Sequence, residues 1–241
     1  MKVRISPSRA SGSIAIPPSK SMGHRAIICA CLAEGTSTIA NVSYSEDIKA
    51  TIAGMKQLGA KIQKSGDCLK ITGTAHFSYD GKPVDCGESG STLRFFVPLF
   101  SLATGPQNAT AGKQVTFTGA KRLFERPQNV YADIFAGQGL IFSQNNGSIT
   151  IDGPLKSGEY SFDGNISSQF VSGLLFALPL LEGDSVIIIR RPFESASYVN
   201  LTTQMLATFG VEIRREGNSF YIKGGQKYKA ADYTIEGDYS Q

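Results

Sequence analysis

One short pattern occurs three times along the chain, and this repeat restricts the folds that the sequence can adopt. In each copy a glycine follows an apolar run, a second glycine marks a turn, and a third comes 14 residues after the first. These glycines are Gly59, Gly66 and Gly73, then Gly139, Gly147 and Gly153, then Gly210, Gly217 and Gly224. A glycine behind an apolar run is typical of a helix C-cap, and alternating residues around a turn glycine indicate a β-hairpin. Each copy therefore predicts a helix end followed by two short strands.

The residues upstream of these glycines repeat as well. Small hydroxyl residues precede a long apolar run in every copy and predict a first helix, which begins near Ser19, Ser89 and Ser167. A second helix is predicted just before each first glycine, over residues 46–58, 127–138 and 197–209. Runs typical of β-strands separate the two helices, at 37–42, 114–118 and 185–190. The repeating unit is therefore βαβαββ and about 70 residues long.

Three such units around one core predict an α/β fold of an unusual kind. We expect an inverse α/β barrel-like domain with pseudo-threefold symmetry, because the largely apolar helices must lie inside and the sheets outside. The expected units span about 14–73, 84–153 and 160–224 within a domain of residues 14–230. Residues 1–13 and 231–241 are expected to lie outside the three units.

Composition excludes several classes of protein. Apolar residues make up 41% of the 241 residues and charged residues 18%, which favours a packed core over disorder. The net charge of +4 is too mild and too scattered to argue for nucleic-acid binding. No apolar run is long enough to span a membrane, and the first residues do not resemble a signal peptide. Four cysteines without metal-ligand spacing and two histidines argue against a metal site and favour a cytoplasmic protein with reduced thiols.

The first helix start has the composition of an anion site. Two prolines at 17–18 hold the backbone extended, and Lys20 and Ser21 then fall in the first turn of the helix. Unpaired backbone N–H groups and the positive end of the helix dipole favour an anion there. Arg25 comes four residues after Ser21, on the same helix face. This stretch predicts binding of a phosphate or a carboxylate.

If a rotation relates the units, the equivalent helix starts should gather at one end of the domain. Gly90 would let a ligand approach backbone N–H groups closely, and the segment 122–127 would place a guanidinium just ahead of a helix that Pro127 begins. No nucleophile–base pair is recognisable, so the site is expected to act by charge and positioning, on one doubly anionic ligand or two anionic ligands. The further polar residues expected there are Glu46, Asp47, Ser89, Ser91, Arg94, Arg126, Ser167, Ser168, Gln169, Ser195 and Tyr198.

Together these motifs resemble the 5-enolpyruvylshikimate-3-phosphate synthase family over essentially the whole chain. The segments that carry the resemblance are 17–25, 86–94 (CGESGSTLR), 122–127 (RLFERP), 167–169 (SSQ) and 195–198. The resemblance implies transfer of the enolpyruvyl group of phosphoenolpyruvate to the 5-hydroxyl of shikimate 3-phosphate, with release of phosphate. It also implies two three-unit domains that close around the substrates, of which this chain covers the first. Residues near 2–6 would then belong to the second domain, 236–240 would cross into it, and this chain alone would be an inactive fragment.

The resemblance also implies roles for individual residues. Those expected to bind shikimate 3-phosphate are Lys20, Ser21, Arg25, Ser167, Ser168, Gln169, Ser195 and Tyr198. Those expected to face phosphoenolpyruvate are Lys20, Gly90, Arg122 and Gln169, with Lys20 the one catalytic residue in this half. The remaining acids and bases would come from the second domain. No cofactor or metal is implied, and the expected partners are the two substrates and the second domain of a monomer.

Two alternatives stay open from the sequence. The UDP-N-acetylglucosamine enolpyruvyl transferase has the same fold, but its loop matching 119–127 carries a cysteine. Residues 119–127 of this chain contain no cysteine. A non-catalytic anion-binding domain would have similar helix starts. Glu88 departs from the family pattern, in which asparagine is common at that position, and we expect it to pair with Arg94 or Lys20.

Overall fold

The computed structural model describes residues 4, 9, 11–74, 76–105, 113–190, 193 and 196–238. Seven α-helices lie in these residues, together with one 3₁₀ turn at Leu178–Leu180. The helices are α1 Lys20–Leu32, α2 Glu46–Gln57, α3 Gly90–Ala103, α4 Lys121–Phe124, α5 Asn129–Gly137, α6 Ser168–Ala177 and α7 Ala196–Thr208. None of these helices combines the length and the apolar composition that a membrane crossing requires.

The same residues form twelve short strands. They are β1 Thr36–Ala40, β2 Lys61–Ser65, β3 Cys68–Thr72, β4 Val84–Asp85, β5 Val115–Thr118, β6 Phe142–Asn145, β7 Ser148–Ile151, β8 Glu159–Phe162, β9 Ser185–Ile189, β10 Ile213–Glu216, β11 Ser219–Ile222 and β12 Tyr233–Thr234. They make three four-stranded sheets with the orders β12-β1-β3-β2, β4-β5-β7-β6 and β8-β9-β11-β10. In each sheet one parallel pair is followed by an antiparallel hairpin, as expected for a repeated βαβαββ unit.

The first helix of each unit, here called a central helix, lies in the core. In α1, α3 and α6 almost every residue is buried, because these helices are apolar on all faces. Their rings meet between helices: Phe95 and Phe176 pack edge to face with centroids 5.3 Å apart. The second helices α2, α5 and α7 bury only one face, and the outer hairpin strands are exposed. Helices inside and sheets outside confirm the predicted inverse α/β architecture.

The closing glycine of each repeat has a steric reason. A Cβ atom on Gly73 would collide with the carbonyl oxygen of Ala33, at the end of α1. A Cβ atom on Gly153 would collide with the carbonyl oxygen of Ser101 in α3. A Cβ atom on Gly224 would collide with the carbonyl oxygen of Gly183, in the loop that follows α6. The hairpin of each unit therefore packs its backbone directly on the backbone at the end of a central helix, and only glycine fits.

Two predicted boundaries differ from the structure. The chain's last described strand, β12, pairs in parallel with β1 through Ile39 and Tyr233 and completes the first sheet. Residues 231–238, expected outside the units, thus pack on the first unit, while the described residues 11–17 contain no strand. The helix expected to begin at Pro127 begins instead at Asn129, and the segment before it contains the short helix α4, which includes Arg122.

Candidate functional site

The N-termini of the central helices carry the candidate site, starting with Lys20 at the first position of α1. Its Nζ lies 2.8 Å from Oδ2 of Asp47, in the first turn of α2. About half of the Lys20 side chain is exposed (52%), so the ammonium group is held in place and still reaches solvent. The ion pair places the partly exposed ammonium group of Lys20 next to its counter-charge, where α1 and α2 begin.

Arg25 lies one and a half turns below, and it is a buried charge. Only 3% of the residue is exposed, and its guanidinium donates three hydrogen bonds: from Nε to Thr202 Oγ1 at 2.8 Å, from Nη1 to Ser21 O at 2.6 Å and from Nη2 to Tyr198 O at 3.0 Å. Burial lowers the pKa of Arg25 to about 10, so the group stays charged at neutral pH. Among the described residues no carboxylate lies within 4 Å of it, and the charge has no internal counterion.

The two carbonyl groups that accept from Arg25 belong to residues of an open cleft between α1 and α7, here called the Ser21–Tyr198 cleft. It has a volume of about 480 Å³, and the Tyr198 side chain beside it is 44% exposed. The residues that line it are Ser19, Ser21, Met22, Ser197, Tyr198, Leu201, Glu236, Gly237 and Asp238. The cleft thus offers a hydroxyl, an aromatic ring and apolar side chains above a buried cation, with two acidic residues along its other wall. This combination suits a small polar ring compound whose anionic group points towards α1.

A second cluster joins the starts of α3 and α6. Arg94 donates from Nη1 to Gln169 Oε1 at 2.9 Å and from Nη2 to Pro127 O at 3.2 Å, and it stacks on the Phe170 ring at 4.6 Å. Gln169 in turn donates from Nε2 to Ser91 Oγ at 2.8 Å. Burial lowers the pKa of Arg94, and the nearby positive charge of Arg126 lowers it further. The Gln169 side chain is therefore fixed by partners on both sides.

Gly90, the buried first residue of α3, lies beside this cluster. A Cβ atom there would lie 2.6 Å from Nη1 of Arg126, so the guanidinium of Arg126 occupies the space that a side chain would fill. Arg126 and Arg122 are both exposed, and within the described part of the chain neither forms an ion pair. The segment that carries them is tied to the loop before α3 by Ala120 N donating to Gly87 O at 2.8 Å. The start of α3 thus has uncompensated positive charge beside it.

Three buried hydroxyl groups, here called the inter-unit hydroxyls, connect these clusters and were missed by sequence reasoning. Thr51, Tyr131 and Thr202 each lie eight residues before the first glycine of their repeat, and none is exposed. Each contacts the central helix of its own unit and that of the next unit. The contacts are Thr51 Oγ1 to His24 Nδ1 and Thr92 Oγ1, Tyr131 OH to the carbonyls of Arg94 and Phe170, and Thr202 Oγ1 to Ser172 Oγ and Arg25 Nε. The shared spacing from a repeat glycine is the signal that could have revealed them.

Several predicted site residues have other roles or partners. Ser89 is buried and caps α3, accepting from Thr92 N at 3.1 Å, and Ser167 caps α6, accepting from Gln169 N at 3.4 Å. Ser168 is nearly buried at the first position of α6. The expected pairing of Glu88 is not found, because Lys20 pairs with Asp47 and Arg94 with Gln169. Ser195 lies outside the described residues.

Comparison with known proteins assigns the chain to a family. The family model described as EPSP synthase (3-phosphoshikimate 1-carboxyvinyltransferase) matches residues 5–241. The 3-phosphoshikimate 1-carboxyvinyltransferase of Clostridium kluyveri is 50% identical over 244 residues, covering 99% of this chain and 55% of that relative. The enzyme of the same name from Clostridium perfringens strain SM101 is 49% identical, covering 100% of this chain and 56% of the relative. The chain therefore spans about half the length of the curated relatives it matches.

A solved structure shows the same fold. The EPSP synthase from Acinetobacter baumannii superposes with a TM-score of 0.78 at 24% sequence identity, covering 95% of this chain and 50% of that one. The superposition supports the three-unit architecture, including the inverse arrangement of helices and sheets.

Proposed function

Because this chain belongs to the EPSP synthase family, we propose that it forms the shikimate 3-phosphate half of an active site for enolpyruvyl transfer. One observation carries the proposal: Arg25 is a buried cation without a carboxylate partner among the described residues, and its Nη atoms donate to carbonyls of Ser21 and Tyr198, which line an open cleft. A buried charge is unfavourable unless a counter-charge compensates it, and an anionic group of the bound substrate, its carboxylate or its phosphate, would supply one. Ser21 and Tyr198 then line the space for the shikimate ring.

In the proposed reaction, the 5-hydroxyl group of shikimate 3-phosphate gives up its proton to a base and its oxygen bonds to C2 of phosphoenolpyruvate, while an acid adds a proton at C3. Loss of a proton from C3 and of inorganic phosphate from C2 then restores the double bond. Lys20, Arg122, Gly90 and Gln169 are proposed to hold the phosphate and carboxylate of phosphoenolpyruvate. The half-exposed ammonium group supports this role for Lys20, the positive charge beside the start of α3 supports it for Arg122 and Gly90, and the fixed side chain supports it for Gln169.

The groups that move protons are not evident in this chain. Lys20 is half-exposed and paired with Asp47. Its ammonium group is suited to neutralise the negative charge that shifts from one substrate to the other during the reaction. Since the relatives are about twice as long as the matched stretch, we propose that the remaining half supplies the acids and bases and closes over the cleft. The complete enzyme is proposed to act as a monomer in the cytoplasm, where both substrates are small soluble metabolites.

Calorimetric titration of the chain with shikimate 3-phosphate tests the proposal. We expect binding that weakens about tenfold or more for shikimate, which lacks the phosphate group. In Lys20→Met the affinity for shikimate 3-phosphate should stay within a few-fold of wild type, while binding of phosphoenolpyruvate should be lost. Equal affinity for shikimate and its phosphate, or tighter binding of UDP-N-acetylglucosamine, would refute the assignment.

A further inference from the structure

The Arg25 guanidinium is fixed at its inner edge by a residue outside the Ser21–Tyr198 cleft. Nη1 and Nη2 donate to the carbonyls of Ser21 and Tyr198, which line that cleft, while Nε donates inwards to Thr202 Oγ1 at 2.8 Å. Thr202 is fully buried and does not line the cleft. The orientation of a cation at the cleft thus depends on a hydroxyl group beneath it.

The hydroxyl of Thr202 has its own orientation fixed by a third helix. Its Oγ1 lies 2.7 Å from Ser172 Oγ in α6 and 3.3 Å from the carbonyl of Tyr198. A hydroxyl has one proton to donate and two acceptor positions. Because Ser172 and Tyr198 O take up its other hydrogen-bonding capacity, an acceptor position remains directed at the Nε–H of Arg25.

We propose that Thr202 is a positioning residue for Arg25, holding the guanidinium in the orientation that binds an anionic group of the substrate. The inference rests on the proposed function. According to this proposal, a residue of α7 in the third unit sets the orientation of the Arg25 guanidinium on α1 in the first unit. Without the hydroxyl, the Nε–H would be buried and unpaired, so the guanidinium would turn to find another acceptor and leave Ser21 O or Tyr198 O.

The closing experiment uses Thr202→Val, which keeps the side-chain shape and removes the hydroxyl, and Thr202→Ser, which restores it. We expect Thr202→Val to weaken binding of shikimate 3-phosphate to the chain about tenfold and Thr202→Ser to return it to within two- to threefold of wild type. Thr203→Val is the matched control, since the partner of the Thr203 hydroxyl within the described part of the chain is Asn200 O of its own helix, at 3.0 Å. It should bind like wild type.

A second readout separates positioning from stability. The Nε–H proton of Arg25 is protected from solvent, so its NMR signal should be visible in slow exchange, shifted or lost in Thr202→Val and recovered in Thr202→Ser. If Thr202→Val does not fold, Ser172→Ala replaces it; this change frees the Thr202 hydroxyl and should weaken binding about threefold.

The outcomes distinguish the two proposals. If the wild-type chain binds no shikimate 3-phosphate, the proposed function fails. An Arg25 Nε–H signal that still depends on Thr202 would then show that Thr202 orients the guanidinium, independently of any substrate. If the wild type binds but Thr202→Val binds equally well, or its Nε–H signal is unchanged, the positioning role is overturned while the proposed function stands.

Discussion

At the scale of residues, α1 buries two basic side chains next to each other in two different ways. His24 is 1% exposed, and burial lowers its pKa to about 3. The charge of Asp47 raises this pKa by a smaller amount, and the charges of Arg25 and Lys20 lower it further. Arg25 keeps its charge because its pKa is lowered only to about 10. The neutral imidazole completes a buried hydrogen-bond chain with Thr51, whereas the guanidinium retains a charge that a ligand can use.

The low pKa of His24 makes the stability of the fold depend on pH. In the unfolded chain His24 takes up a proton below its ordinary pKa of 6.5, while the folded form resists protonation down to about 3. Stability from this residue is therefore complete above pH 6.5 and declines as the pH falls towards 3, with a limiting slope of about 1.4 kcal/mol per pH unit.

Urea unfolding of His24→Gln between pH 7.5 and 4 checks this dependence. We expect the variant to be less stable than wild type at neutral pH, because it loses the fitted ring, and to show the shallower decline on acidification. His76→Gln, which removes the exposed second histidine, is the control and should keep the wild-type slope. Parallel curves for wild type and His24→Gln would rule out a buried neutral histidine.

At the scale of elements, the central helices approach closely because small residues lie between them. A Cβ atom at Gly173 of α6 would collide with the carbonyl of Arg94 in α3 and with the hydroxyl of Tyr131. A Cβ at Gly54 of α2 would likewise enter the ring of Phe96. These contacts bring the starts of α3 and α6 near enough for Arg94, Gln169 and Ser91 to bond.

Gly173→Ala should therefore separate α3 from α6. The clash involves a backbone carbonyl that cannot rotate away, so we expect a loss of about 2–3 kcal/mol in the free energy of unfolding, measured by urea denaturation. Gly137→Ala in α5 is the matched control, because nothing lies within 4 Å of its Cβ position. It should be neutral or slightly stabilising. Equal stability of the two variants would contradict the close packing described here.

The helices and strands could be predicted from the sequence where apolar periodicity or a glycine marks them. The second helices and the hairpins follow apolar periodicity and glycine positions, and their observed bounds lie within a few residues of those expected. The short helix α4 was missed because four residues carry no periodic pattern. The start of α5 was placed two residues early because Pro127 suits a first helical position, yet the helical backbone begins only after Gln128.

At the scale of the whole molecule, the repeat predicted the architecture but not how the first sheet is completed. A two-residue strand in a parallel pair leaves no signal in the sequence, so β12 could not be assigned to the first unit. Rotation of the units correctly predicted that Lys20, Gly90 and Gln169 lie at equivalent helix starts. The inter-unit hydroxyls were missed, since a threonine or tyrosine on an amphipathic helix carries no local mark of burial.

The central claim is that the starts of α1, α3 and α6 form one site for small acidic metabolites. Its most direct test is NMR chemical-shift mapping of the isotope-labelled chain as shikimate 3-phosphate and then phosphoenolpyruvate are added. The account predicts that amide signals at Ser21 and Gln169 shift with the first ligand and that signals near Gly90 and Arg122 shift with the second. Shifts confined to the outer hairpins, or to a single helix start under both ligands, would contradict it.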